Sequence, residues 1–322
     1  MTSAHPTAAP VRGAAPAGAP GTGPTAAGPT TTGPRPAGRP RRARPARAWL
    51  GALPLLVFAG LCFGLPAGAL LYGALTRTDP VAGTTEFTGE HLERSLRGPY
   101  LTSLTGSVEL SALTAALATV LGVLIARAVV TSRRGALRGA VLTASGVLAN
   151  FGGIPLAFAF VATLGISGVV TEIGHLDALG WNLYSFTGLT VIYLYFLVPL
   201  MVLVVVPALD GLRPQWREAA LSTGASTWQF WRHVGLPVLA PSLLGGFVLL
   251  FGSAFAAHAT AAALVGGSVP LVTLKIADAL SGNVLVGQEN VALALSLDMI
   301  VIAGLVMAVY LPLQRRSSRW LR

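Results

Sequence analysis

Six apolar runs, each long enough to cross a lipid bilayer, divide this sequence, at about 49–75, 100–126, 139–165, 183–209, 238–263 and 291–313. Inside hydrocarbon a chain must satisfy its own backbone hydrogen bonds, and runs of this length do so as helices. The overall balance agrees, with 53% hydrophobic and only 11% charged residues. The expected fold class is all-α, a polytopic membrane protein with six transmembrane helices.

The net charge of +10 is unevenly placed. Of the 22 basic residues, Arg77, Arg94, Arg97 and Lys275 fall on one side of the six spans and the other eighteen on or beside the opposite side. Eight of the twelve acids accompany the four. Cytoplasmic loops carry the arginine excess, so both termini are expected in the cytoplasm. The basic excess therefore reports topology, and its partners are anionic membrane lipids, with no nucleic acid expected. Residues 1–48 are rich in Pro, Ala, Gly and Thr, with almost no large apolar side chains to offset the entropy of ordering. They read as a disordered cytoplasmic tail whose basic end, Arg35 to Arg47, sits on the inner leaflet. The run from Trp49 to Leu75 is too long for a signal-peptide core and reads as a retained span. Residues 314–322 form a second basic tail. Cys62 has no partner and excludes an intrachain disulfide framework.

The loop at 210–237 is the longest polar insert of the second half. Pro214 fits a first helical turn, Gly224 permits a reversal, Ser226 caps a second short helix, and Pro237 closes it where the chain re-enters the membrane. Small Ala219 and Ala220 leave room for a partner surface, and Glu218 is placed to meet an arginine there. Trp228 and Trp231, three apart, share one face and predict an exposed aromatic patch, the usual anchor of an interface. The alternative is an amphipathic helix with both tryptophans in the headgroup belt.

Glu218-Ala219-Ala220, Gly224, Val234 and Leu236-Pro237, at these spacings, resemble the EAA signature of the membrane subunits of ATP-binding cassette (ABC) importers. Val234 stands where isoleucine is usual. The resemblance implies a MetI-like permease domain over 49–313. It implies a cytoplasmic coupling helix docking on separate ABC ATPase subunits, with a second permease subunit and an extracytoplasmic solute-binding protein completing the importer. ATP is bound by the partner, and no cofactor or metal is expected on this chain, which has no Gly-rich phosphate loop ending in Lys-Ser or Lys-Thr. The strings at 149–158, 207–214 and 279–283 look like the spermidine and putrescine branch, whose relatives also take up phosphonates, opines, thiamine and ferric iron. Polyamine is the first expectation for the solute.

Glu109 and Asp298 are the acids inside the apolar runs. A carboxylate at mid-span costs about 2.5 kcal/mol or more on insertion scales. Either they line a path and attract a cationic solute, or they sit near the outer headgroups, where the cost fades. Asn150, beside the helix-breaking string Phe151-Gly152-Gly153-Ile154-Pro155, together with Ser253, His258 and Thr260, completes the set of possible pathway residues. Interhelical hydrogen bonding is the alternative role for these. Ser253 and His258 lie five apart on one predicted helix, about 140 degrees around its axis, which argues against a protease dyad. A secondary transporter needs titratable groups near the midplane and paired repeats, and neither is evident.

Overall fold

The computed structural model describes residues 53–78, 84–132, 134–281 and 289–318, with side chains to residue 315. The expectations for residues 1–48, for Gly282 and Asn283 and for the chain beyond Ser318 lie outside these. Contacts divide the chain after Pro54, and the fold below belongs to the unit Leu55–Arg322.

In chain order the elements are α1 (Leu53–Ala74), the strands β1 (Thr76–Thr78) and β2 (Thr85–Phe87), α2 (Glu90–Ser95), α3 (Gly98–Thr131), α4 (Gly135–Asn150), α5 (Ile154–Leu164), α6 (Val169–Gly174), α7 (Phe186–Asp210), α8 (Pro214–Ser222), α9 (Thr227–Phe255), α10 (Ala259–Leu264), α11 (Val272–Leu280) and α12 (Glu289–Ser318). Among the described residues six stretches are long and apolar enough to cross a membrane: α1, α3, the α5–α6 stretch Ile154–Gly174, α7, α9 and Glu289–Arg315 of α12.

The bounds differ most from the sequence reading at two spans. The stretch expected at 139–165 is divided at Phe151–Gly153 into α4 and α5, and the third crossing is completed through α6. The stretch expected at 238–263 begins earlier, at Thr227, and its helix ends at Phe255. Pro199 and Pro207 both sit within the single helix α7.

Helix α7 is the centre, with 61% of its most apolar window buried against 33% for α3. It packs most extensively on α3, then on α4 and α9. Lipid tails are as apolar as leucine, so contact between helices depends on close backbone approach by small residues. Here Ala115, Ala118, Gly122 and Ala126 form a buried stripe on α3. A Cβ on Gly122 would lie 2.6 Å from Met201 Cβ of α7, and one on Gly246 of α9 would lie 2.7 Å from Met201 Sδ. Met201, fully buried, is thus held between two glycines of two other helices.

Buried backbone groups at helix ends find side-chain partners, as the absence of water requires. Ser107 accepts from the first N–H of α11, Val272, at 2.8 Å. Trp181 Nε1 donates to the last carbonyl of α5, Leu164, at 3.1 Å. Asn290 Nδ2 donates to Thr76 O at 3.1 Å, tying α12 to the hairpin, whose register is Thr76↔Phe87 and Arg77↔Glu86.

On α2, Arg77 and Arg94 both meet Glu90, at 3.2 and 2.6 Å, and Arg97 meets Glu93 at 2.5 Å. His91 points inward, 4% exposed, with neither ring nitrogen bonded. Burial lowers its pKa below 6.5, Glu90 opposes that, and Arg94 and Arg77 reinforce it, while the Thr76 backbone favours the charged ring.

Two outcomes follow. Gly122→Val forces Met201 aside and is expected to cost about 1–3 kcal/mol, read as a fall in apparent Tm of the detergent-solubilised chain. Because the folded-state pKa of His91 is depressed, its stabilising contribution is complete above pH 6.5 and declines as pH falls from there toward the folded value. Hydrogen-exchange protection factors over residues 84–97, taken against the intrinsic rate at each pH, are expected to fall between pH 7.5 and 5.5, and His91→Leu to abolish that fall.

Candidate functional site

Two irregular places carry most of the candidate residues: the elbow between α7 and α9, and the junction where two interrupted spans meet.

The elbow is built from local capping chemistry. Helix α8 ends in a left-handed turn at Gly224, φ +82°. Ala225 N–H donates to Ala220 O and Gly224 N–H to Leu221 O, each at 3.0 Å, which is a Schellman closure. Ser226 opens the next helix with a reciprocal capping box: Gln229 N–H donates to Ser226 Oγ at 3.2 Å and Ser226 N–H to Gln229 Oε1 at 2.7 Å. Only Gly224 and Ala225 separate the two caps, so the angle between the helices is set by hydrogen bonds at both ends.

Beyond that point the structure corrects the sequence reading. The second helix does not close at Pro237. It widens into one π turn at Trp231–Gly235, with Leu236 N–H donating to Trp231 O, and continues through Pro237 to Phe255. A proline lacks the N–H that the helical ladder needs, and a wider turn just before it accommodates that loss. Gly235 makes the turn possible, because a Cβ there would lie 2.6 Å from the Trp231 indole.

The predicted tryptophan pair is also divided. Trp228 is 68% exposed, whereas Trp231 is half-buried, its ring 4.8 Å beneath the Arg127 guanidinium and edge-on to buried Phe230. Glu218, Ala219 and Leu236 are exposed, and Ala220, Val234 and Pro237 are half-buried. Glu218 has no ion-pair partner among the described residues, unlike Asp210 at the elbow's root, which is paired with Arg138 of α4. The outward face of α8 therefore presents an uncommitted carboxylate, small side chains, and Trp216 at 38% exposure.

At the junction, Gly153 adopts φ +75°, ψ −152°, a region essentially reserved for glycine. Its N–H donates to Thr260 Oγ1 of α10 at 2.9 Å. The break after Phe255 is held by Tyr193 of α7, whose hydroxyl donates to Ala257 O at 2.9 Å. His258 stands at the N-cap of α10 with its Nδ1 buried and unbonded.

The possible pathway residues do not converge on one site within the chain. Thr260 and His258 are at the junction, but the Thr260 hydroxyl is committed to the Gly153 backbone. Asn150 turns its amide back onto Gly146 O, at 2.9 Å. Ser253 lines a groove of about 570 Å³ between α9 and α12, otherwise walled by apolar residues such as Phe251, Phe255 and Met299. Ser253 and His258 thus lie on separate helical segments, so the one-helix premise used against a dyad does not hold, although their different surroundings lead to the same exclusion. Asp298 is 9% exposed, beside Ser95 of α2, with Oδ2 unbonded. Glu109 lies on the exposed face of α3.

A family model described as the binding-protein-dependent transport system inner membrane component matches residues 118–322, a stretch that includes the elbow and both breaks. The chain belongs to this family. It is a multi-pass inner-membrane protein. Among curated relatives, the Escherichia coli sulfate transport system permease protein CysT is 38% identical over 68 residues, 21% of this chain and 24% of the relative. The E. coli inner membrane ABC transporter permease protein YdcU is 34% identical over 94 residues, 29% and 30%. The Haemophilus influenzae thiamine transport system permease protein ThiP is 27% identical over 122 residues, 37% and 22%. The chain thus spans less than a third of the length of each of these relatives. For the fold, a bacterial ABC transporter involved in import of the acidic polysaccharide alginate superposes with TM-score 0.62 at 18% identity, over 85% of this chain and 96% of that one. The likeness is one of fold, and in this chain that fold is a MetI-like permease architecture with six candidate spans.

Thr260→Val keeps the shape at the junction but removes the acceptor for Gly153 N–H. The expected loss is about 1–3 kcal/mol, read as lowered Tm together with faster exchange at residues 151–156; unchanged exchange there would show the stitch to be idle.

Proposed function

We propose that this family member is the permease subunit of an ABC importer. It forms half of a transmembrane solute pathway and receives force from a separate ATPase through the elbow. The observation that carries this is the elbow itself: two helices locked at a fixed angle by a Schellman closure and a capping box, presenting Glu218, Ala219 and Trp216 to solvent. A rigid, exposed, partly apolar corner with an unpaired carboxylate is suited to docking in a groove of another chain. In this reading the elbow and both termini are cytoplasmic, as the arginine distribution supports. Exposed Glu109 on a span face favours cover by a second permease subunit, since a carboxylate does not rest against lipid. An extracytoplasmic binding protein delivers solute, and ATP-driven closure of the ATPases turns the spans outward to receive it.

For the solute, polyamine rests on three sequence strings alone. A small oxyanion of the sulfate class has better support. The relatives named for sulfate favour it, and the junction carries His258 with an unbonded ring nitrogen, while Asp298 is taken up in the α2–α12 contact. Binding of spermidine, sulfate and thiamine to the purified binding-protein partner separates these.

Coupling is tested in vesicles holding the chain with its ATPase and second permease. Gly224→Ile strains the left-handed turn and is expected to leave insertion intact while binding-protein-stimulated ATP hydrolysis falls at least about tenfold, as misplacement of a coupling element does. Normal stimulation would overturn the docking role. So would transport without the ATPase, which is the behaviour of a secondary transporter, or labelling of a Ser222→Cys, Cys62→Ala chain from the outer face only.

A further inference from the structure

Behind the elbow, where α3 ends and α7 gives way to α8, lies a cavity of about 130 Å³ lined by Arg127, Arg213 and Arg217 together with Leu212, Phe230 and Trp231. None of the three guanidiniums has an ion-pair or hydrogen-bond partner among the described residues. Elsewhere in the chain the arginines near acids are neutralised: Arg77, Arg94 and Arg97 by Glu90 and Glu93, and Arg138 by Asp210. Asp210, the nearest acid in sequence to Arg213, is therefore spent on α4. Glu218 follows Arg217 but does not line the cavity.

Three like charges around one partly apolar hollow repel one another unless an anion sits between them. Arg127 is already oriented for that role. Its guanidinium carbon lies over the Trp231 ring, 4.8 Å from the centroid, a cation–π contact that holds the charge at the cavity wall without using up its N–H donors on an acid. The setting selects among anions. The cavity lies at the ends of spans α3 and α7, and its walls at Leu212 and Phe230 are apolar, so the ligand that satisfies both surfaces is an amphiphile with an anionic head.

We propose that this cavity binds the phosphodiester headgroup of an anionic phospholipid, held by Arg127, Arg213 and Arg217. The site joins the end of α3 to both halves of the elbow, so an occupied site bridges α8 and the start of α9 through one ligand. It rests on the cavity alone and stands whether or not the elbow receives an ATPase.

The test uses the full chain purified in detergent, exposed to equimolar phosphatidylglycerol and phosphatidylcholine and read by native mass spectrometry. The wild-type chain is expected to retain phosphatidylglycerol preferentially. Arg213→Gln and Arg217→Gln, both exposed and away from the helix core, are each expected to lower that preference about five-fold, and Arg232→Gln, exposed but outside the cavity, to leave it unchanged. Inorganic phosphate at millimolar concentration is a separate arm. Full displacement of the lipid by phosphate would overturn the lipid assignment in favour of a soluble anion. Absence of any headgroup preference, or an equal loss in the Arg232 variant, would overturn the site itself. Preserved preference in the two glutamine variants would do the same and reassign these arginines to a protein partner.

Discussion

Met201 is where three helices meet. Its side chain occupies the space that two absent Cβ atoms leave, at Gly122 and Gly246. In a bilayer no expulsion of water from between the helices drives them together, and what remains is dispersion at close range, which a gap of a fraction of an ångström already weakens. The placement of α3 and α9 against α7 thus depends on contacts at that distance. The end of α7 fixes the root of the elbow, and the start of α9 fixes its exit, so elbow geometry inherits its precision from this contact.

The irregular places are held by a different currency. Gly153 and Ala257, freed from their ladders, bond to Thr260 and Tyr193, and the elbow's end groups bond to Ser226 and Gln229. Each of these groups is a hydroxyl or amide within reach of a specific orphan. Non-helical backbone at membrane depth is tolerated only where protein supplies such partners. The junction and the elbow are therefore interruptions that the fold supports rather than loose connections.

What was legible in the sequence follows the range of the responsible interaction. Gly224 and Ser226 announce their caps because cap chemistry acts within four or five residues, and both caps form where expected. The six apolar stretches are legible for the same reason, since hydrocarbon acts on each separately. The passage of α9 through Pro237 was not legible, because it requires the Trp231 ring to fold over Gly235. The stitch between Gly153 and Thr260 joins residues 107 apart, and the Gly-Gly-x-Pro string announced a break without naming its partner. The setting of Asp298 against α2 is tertiary and could not be read from its run, and Trp231 looked exposed because Arg127 lies a hundred residues upstream.

The continuity of α9 has a mechanical reach. At 29 residues it is a rod of about 43 Å with one end in the elbow and the other at the break before His258. A tilt of about 5 degrees at the near end displaces the far end by roughly 4 Å, comparable to a water's width and a half. Because the helix stops at Phe255 and the next one is pinned to α5, that displacement is delivered to a seam between two helical segments. A lever that ends at a seam converts a small rotation on one membrane face into a gap opening near the other.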